Sequence, residues 1–482
     1  MSRRIVGPFN RVEGDLEVHL DIGDGVVEDA WVVSPLYRGF EQILHGKNPG
    51  DALVYTPRIC GICSVSQSVA TAAALADAQN IDMPLNGELA INLILANENI
   101  ADHLTHFYLF FMPDFARDIY RNEPWYEQIT LRFKAVTGTA VKQALPARSD
   151  WLHIMGILAG KWPHSLAIQP GGSSRAIEGQ EQARILSIIY AFRTFLEDVL
   201  FGDSLENILS IASAAELDNW LEKQAPDHSD FERFLNVSRG LKLEKLGRAS
   251  DLFMSYGVYR QAEGNLFKRG VWHHGEQPFE PENISEDLSH SWMKHGNTPR
   301  HPYEGITVPD PDARDGYTWC KAPRLDGAVV EVGALARQVV DGSPLIRDLV
   351  QQSGGNVCNR VIARLLEIAS VVDAMSQWAH MLRPRDAFCH QVKMPDEAQG
   401  CGLTEAARGS LGHWVRIKKG RILNYQIIAP TTWNFSPRDQ NGVSGALEQA
   451  LVGAPVRDGE KDPVAVQHIV RSFDPCMVCT VH

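Results

Sequence analysis

The 482-residue chain lacks the features that mark several large protein classes. It has no uninterrupted run of about 18 apolar residues, the length that spans a bilayer as a helix, so no transmembrane segment is predicted. Basic residues are outnumbered, 46 Lys and Arg against 59 Asp and Glu. The resulting formal charge of -13 excludes the basic surface with which nucleic-acid binders displace counterions from phosphate. Cysteine is sparse, with eight in the whole chain, too few for a disulfide scaffold. Arg3-Arg4 resembles a twin-arginine export signal, but the apolar stretch that such a signal needs does not follow it, so a cytoplasmic location is expected. There is no internal repeat and no low-complexity linker.

What is present is an ordinary globular balance, 44% hydrophobic and 22% charged residues, enough to bury a large core. Residues 16–33 alternate apolar and polar around Gly23-Asp24-Gly25, which predicts a β-hairpin. Residues 414–428 repeat the alternation around Lys419-Gly420 and predict a second. Between them, apolar residues recur at helical spacing over about 87–112, 175–202 and 356–383, predicting three long core helices. The stretch 225–315, rich in His, Pro, Gly and acidic residues with weak periodicity, predicts a surface excursion. The expected architecture is one α+β domain over 1–482, mainly α, with peripheral hairpins.

Four of the cysteines form two CxxC pairs. Cys60 and Cys63 lie in Arg58-Ile59-Cys60-Gly61-Ile62-Cys63, and Cys476 and Cys479 in Asp474-Pro475-Cys476-Met477-Val478-Cys479. The other four, Cys320, Cys358, Cys389 and Cys401, show no such spacing and read as small buried hydrophobes. On spacing alone, two CxxC pairs suggest a closed structural zinc site. Three features count against zinc. More than four hundred residues separate the pairs, so the metal would close a loop as large as the protein. Charged residues stand in compact contexts that a zinc knuckle does not need: Glu13 in Arg-Val-Glu-Gly, Glu41 in Arg-Gly-Phe-Glu, and Arg408 in Glu-Ala-Ala-Arg-Gly. The chain also closes on Cys-Thr-Val-His, which sets an imidazole beside thiolates and offers more ligands than one metal would use. Asp102-His103-x-x-His106 invites a metal reading too, although a spacing of three on an apolar helix more often marks a hydrogen-bonded core pair.

Taken together, RxCGxC, the terminal DPCxxCxxH, RxEG, RGxE and PTTWN resemble the large subunit of nickel-iron hydrogenases, from about residue 4 to the last residue. The related large subunit of respiratory complex I is disfavoured, because it is similar in scaffold but lacks the cysteines. The resemblance implies a core of long helices with both ends of the chain meeting at the active site. It implies that Cys60 and Cys476 are terminal thiolates on nickel, and that Cys63 and Cys479 bridge nickel and an iron carrying carbonyl and cyanide. Arg408 and Thr431 would donate to the cyanides, and Glu13 would exchange protons with Cys476. Asp102, Asp474 and Gln67 would surround the centre. Glu41, the backbone carbonyl of Ile427 and His482 would hold magnesium. Because no cysteine remains in cluster spacing, an iron-sulfur small subunit is the implied partner, with dihydrogen as substrate.

The chain departs from the family pattern in three places. Gln67 stands where RxCGxCxxxH has histidine, Ala407 stands where EAPRG has proline, and the sequence stops at His482 without the usual extension. The first and last of these resemble the regulatory, dihydrogen-sensing branch, in which bulkier side chains restrict gas access, and Ile62 and Phe110 fit that description. The sequence therefore predicts a dihydrogen sensor, with a sensor histidine kinase as a further partner to be tested. An energy-conserving uptake hydrogenase, a nicotinamide- or deazaflavin-coupled enzyme and a structural zinc protein are the alternatives.

Overall fold

In the computed structural model, which describes residues 2–294, 296 and 298–480, the first predicted hairpin forms as strands β2 (Glu17–Gly23) and β3 (Val26–Val33). They are joined at Asp24-Gly25, both with positive φ, as a two-residue turn matched to strand twist requires. A strand that alternation did not reveal, β1 (Ser2–Val6), pairs antiparallel with β2, so Arg3-Arg4 lies within a sheet.

The second hairpin extends further than its pattern. Strands β7 (Gly409–Lys418) and β8 (Arg421–Ile428) turn at Lys419-Gly420, again with positive φ, and β6 (Ala398–Ala406) adds a third strand. Gly400 and Gly402 make β6 hard to read in sequence, and packing explains them. A Cβ on either would lie 2.0 Å from the carbonyl oxygen of Ala74 or Ala70. Those carbonyls belong to helix α1 (Ser64–Gln79), so the sheet holds at backbone contact the helix that begins one residue after Cys63.

All three predicted long helices are present. Helix α2 (Leu85–Thr105) runs into a π-helical turn over His106–Phe111, α3 (Gly179–Phe195) into another over Leu196–Phe201, and α5 (Val357–Met381) is continuous. Helices α2 and α5 pack together and are buried nearly all round. The expectation of a surface excursion over 225–315 needs correction. Its helix Asp230–Leu241 buries Phe231, Phe234, Leu235 and Val237, and strand β4 (Phe253–Gln261), paired with β5 (Gly264–Trp272), is buried from Phe253 to Tyr259. Helix α4 (Ala334–Asp341) and strand β6 pack against β4, so the alternation that would have marked the strand is absent. Exposed character concentrates around 273–283. One connected apolar cluster runs from Val6 to Cys479 and contains all four paired cysteines.

Candidate metal centre

Each cysteine pair is set by a tight local structure. The first lies in the loop between a 3-10 turn, Thr56–Arg58, and α1, where the Ile62 N–H donates to Cys60 Sγ at 3.3 Å. The second follows helix α6 (Val464–Phe473), which ends at Asp474 in the left-handed region, φ 57°, and reverses the chain into a 3-10 turn over Met477–Cys479. The N-terminal Arg-Val-Glu-Gly segment fixes this turn by bridging it. The Glu13 N–H donates to Pro475 O at 3.3 Å, and the Met477 N–H donates to Glu13 O at 2.7 Å. Residues from both ends of the chain thus form one short parallel bridge.

The four thiols converge. Cys60 and Cys476 Sγ are 3.4 Å apart, Cys63 and Cys479 3.3 Å, and Cys476 and Cys479 3.0 Å, with all four sulfurs within 4.8 Å of one another and all four residues buried. Hydrogen bonds from the other three thiols pull Cys60 far below the usual thiol range, while burial pushes Cys476 up and the neighbouring thiols push Cys63 up. Four buried sulfurs therefore cannot all ionise on the protein's own charges. A soft donor set of this kind fits thiophilic cations, which would supply the missing positive charge.

Arg408 is a cation whose charge acts on this group. It sits at the tip of the β6–β7 hairpin, where Ala406 pairs with Gly409, and it is buried. Its guanidinium binds both oxygens of Asp102, the Asp474 backbone carbonyl at 2.9 Å and Asp474 Oδ1 at 3.2 Å. Two carboxylates and the thiols hold its pKa well above the ordinary arginine value despite burial. The other carboxylate oxygen, Asp474 Oδ2, is buried without a partner among the described residues. Thr431 Oγ1 accepts the Cys476 N–H at 3.1 Å, which leaves the threonine proton available to another acceptor. Glu13 is half-buried, and burial followed by the charge of Cys60 raises its pKa while Arg408 opposes the shift.

Of the residues expected to hold magnesium, Glu41 and Ile427 lie together, beside residues that the sequence reading did not include. Glu41 Oε1 accepts the Ile427 N–H at 2.8 Å, while Oε2 accepts from Lys321 Nζ at 2.8 Å and from the Thr307 hydroxyl. Lys321 also reaches Gln426 at 2.9 Å and Glu286 at 3.4 Å. Two buried carboxylates face one ammonium, and Glu286 Oε1 has no partner among the described residues; burial pushes the Glu286 pKa up to about 7, and a hard cation would supply the positive charge that keeps it ionised. His482 lies outside the described residues.

Gln67 accepts from His413 Nε2 at 2.8 Å, and His413 Nδ1 in turn meets Tyr425 and Thr71. His103 and His106 follow the core-pair reading, with Nε2 atoms on Glu367 at 3.1 Å and on the Arg471 carbonyl at 2.7 Å. Among the described residues, the only cluster with metal-ligating geometry is the four cysteines. Ile62 and Phe110 are both partly exposed. Ile62 stands between Cys60 and Cys63, and Phe110 in the π-helical turn has its carbonyl bonded by Arg11 at 3.3 Å. Cys320 and Cys358 are buried as expected, but Cys389 and Cys401 are partly exposed, because they lie on segments at the margin of the core.

Sequence reasoning missed Arg337. All five of its N–H donors are used: two bonds to Glu367 at 3.0 and 2.7 Å, one to Glu405 at 2.8 Å, and one each to the Ala406 and Ala407 carbonyls at 2.8 and 3.0 Å. It thereby fixes the hairpin tip that presents Arg408. Only pairing with acidic residues far away in sequence would have revealed it.

The chain matches the family described as nickel-dependent hydrogenase over residues 38–123 and 136–482. It is 29% identical to the Hydrogenase-2 large chain of Escherichia coli K12, over 100% of this chain and 97% of the relative. It is also 29% identical to the periplasmic [NiFeSe] hydrogenase large subunit of Desulfomicrobium baculatum, over 99% and 94%. Its fold superposes on a solved [NiFeSe] hydrogenase from Dm. baculatum with a TM-score of 0.86 at 27% identity, and on one from D. vulgaris Hildenborough with 0.84 at 29%, each covering 100% of both chains. The converged thiols, the helix-rich core and these likenesses agree: the chain belongs to the nickel-dependent hydrogenase family, whose members are oxidoreductases acting on dihydrogen.

Proposed function

We propose that this chain is the active-site subunit of a dihydrogen sensor, in which Cys60, Cys63, Cys476 and Cys479 would hold nickel and Cys63 and Cys479 would also hold iron. The observation that carries the metal assignment is the convergence of four buried thiols beneath Arg408, itself fixed by Asp102 and Asp474. When bound, the metal pair supplies the Lewis acidity that polarises dihydrogen and accepts its electrons. The protein supplies the rest. The Cys476 thiolate takes the proton, and Glu13, held beside it by the backbone bridge, passes that proton outward. Arg408 and the free proton of Thr431 are suited to donate to anionic cyanide ligands on iron, beside a carbonyl. Glu41, the carbonyl of Ile427 and His482 would bind magnesium, with Glu286 adding negative charge and Lys321 hydrogen-bonded to both carboxylates. Gln67, whose N–H donates to the Cys63 carbonyl, fixes His413 by hydrogen bond.

The relatives are named as large chains or large subunits, which supports a small partner subunit, and we assign the iron-sulfur clusters to it. A sensor histidine kinase would receive the signal, and a cytoplasmic location accompanies this role. An energy-conserving uptake role is the second reading, favoured by a relative at 26% identity named as the uptake hydrogenase large subunit of Rubrivivax gelatinosus.

The sensing reading rests on restricted gas access at Ile62 and Phe110, and this can be tested. Dihydrogen is smaller than dioxygen, and close packing makes a constriction persistent in time. Combining Ile62→Val with Phe110→Leu should preserve the fold at a cost of about 1–3 kcal/mol and make dihydrogen oxidation sensitive to air. The measurement is activity before and after air exposure, with nickel quantified in variant and parent. A folded, nickel-replete double variant as air-tolerant as the parent would remove these two residues from the gas path and favour the uptake reading.

A further inference from the structure

Helix α1 begins at Ser64, so Cys63 occupies the position whose side chain ordinarily accepts the free peptide N–H groups of the first turn. The Cys63 side chain makes no such bond. A sulfur shared with Cys479 cannot turn back to cap its own helix, and the first-turn donors must be satisfied from elsewhere.

They are satisfied by Glu98, from the middle of α2. Its Oε2 accepts the Val65 N–H at 2.9 Å, and Oε1 accepts the Ser66 N–H at 2.9 Å and the Ser66 hydroxyl at 3.1 Å. The Trp162 indole N–H donates to Oε2 at 2.9 Å, and the Ser64 hydroxyl stands 3.4 Å from the same atom. Peptide and indole N–H groups can only donate, so both oxygens must be acceptors, which suits a carboxylate and neither an amide nor a carboxylic acid. The group is buried, and its negative charge lies at the positive end of the helix dipole. Burial pushes its pKa up to about 7, and each donated bond opposes that rise.

We infer that Glu98 is a positioning residue for the metal centre: it caps α1 in place of the Cys63 side chain and so leaves that thiolate directed at Cys479. The inference rests on the reading of Cys63 as a metal ligand. Asp102, four residues on, lies on the same face of α2 and binds Arg408. One helical turn, about 5.4 Å, therefore sets the spacing between the anchor of the first cysteine pair and the anchor of Arg408. Neither carboxylate touches the thiols through a hydrogen bond of its own, yet together they mount both halves of the site on one rigid element.

Three variants of the whole hydrogenase test this, read by nickel content and by the infrared bands of the iron's diatomic ligands. Glu98→Gln points an NH2 group at N–H donors on one side. It should reduce nickel per chain by about 10-fold or more, and move the bands in the fraction that loads. Glu98→Asp keeps the charge but is one methylene too short to span both peptide donors. It should also move the bands, and it supplies the reading if the glutamine variant does not accumulate. Trp162→Phe removes a donor from Glu98 without touching the helix cap, and should keep parental nickel and bands. Parental nickel with unshifted bands in either Glu98 variant would overturn the capping role, as would a Trp162→Phe protein damaged as severely as Glu98→Gln. A parent protein without diatomic bands would instead overturn the bimetallic reading, a distinct result visible before any variant is made.

Discussion

Replacing Glu13 by glutamine should leave the fold and nickel content in place and slow dihydrogen/deuterium exchange by about 10²–10⁴-fold. The two consequences separate because different parts of the residue cause them. The backbone of Glu13 bridges Pro475 and Met477, and that bridge is indifferent to the side chain. The carboxylate makes no hydrogen bond that an amide would have to replace at the thiols, but only the carboxylate accepts a proton. Burial and the neighbouring charge of Cys60 raise its pKa from the ordinary glutamate value, the direction that suits a group which must both take and release protons. Exchange at the parental rate in a nickel-replete variant would remove Glu13 from the proton path.

Replacing Arg337 by methionine should cost on the order of 3–5 kcal/mol in stability, because it strands two buried carboxylates, Glu367 and Glu405, without their shared cation. Arg337→Lys should fall between parent and methionine variant, since an ammonium keeps the charge but cannot reproduce the planar five-donor pattern. The loss should reach the active site as well as the fold. Ala406 and Ala407 would lose their carbonyl partners, and these residues lead directly into Arg408. The expected result is a lower urea midpoint accompanied by reduced nickel retention. A methionine variant with parental stability would show that the pair is held by other contacts.

The features of this protein that sequence made legible are those written in local patterns. The hairpins announced themselves through alternation ending in Asp-Gly and Lys-Gly turns, and the long helices through apolar spacing. The cysteine pairs and the residues around them were legible as motifs, and the structure brings Glu13, Arg408, Thr431, Asp102 and Asp474 to the thiols from five separate segments. Elements buried on all sides were not legible. Strand β4 lacks a polar face, and β6 is interrupted by the glycines that let α1 approach. The buried ionic framework was hidden for a related reason. Arg360, Arg364 and Glu367 on α5, like Glu98 on α2, would ordinarily mark the solvent face of a helix, whereas here they point inward and find partners on other segments, among them Glu331 for Arg360, 29 residues away, and Ser472 for Arg364, 108 away. Local periodicity carries no information about such pairings.

The most direct test of the central assignment is the metal content of the purified protein together with its infrared spectrum. The four thiols with Arg408 above them predict about one nickel per chain, accompanied by iron and by absorption bands from carbonyl and cyanide. Stoichiometric zinc, with no nickel and no such bands, would contradict the account.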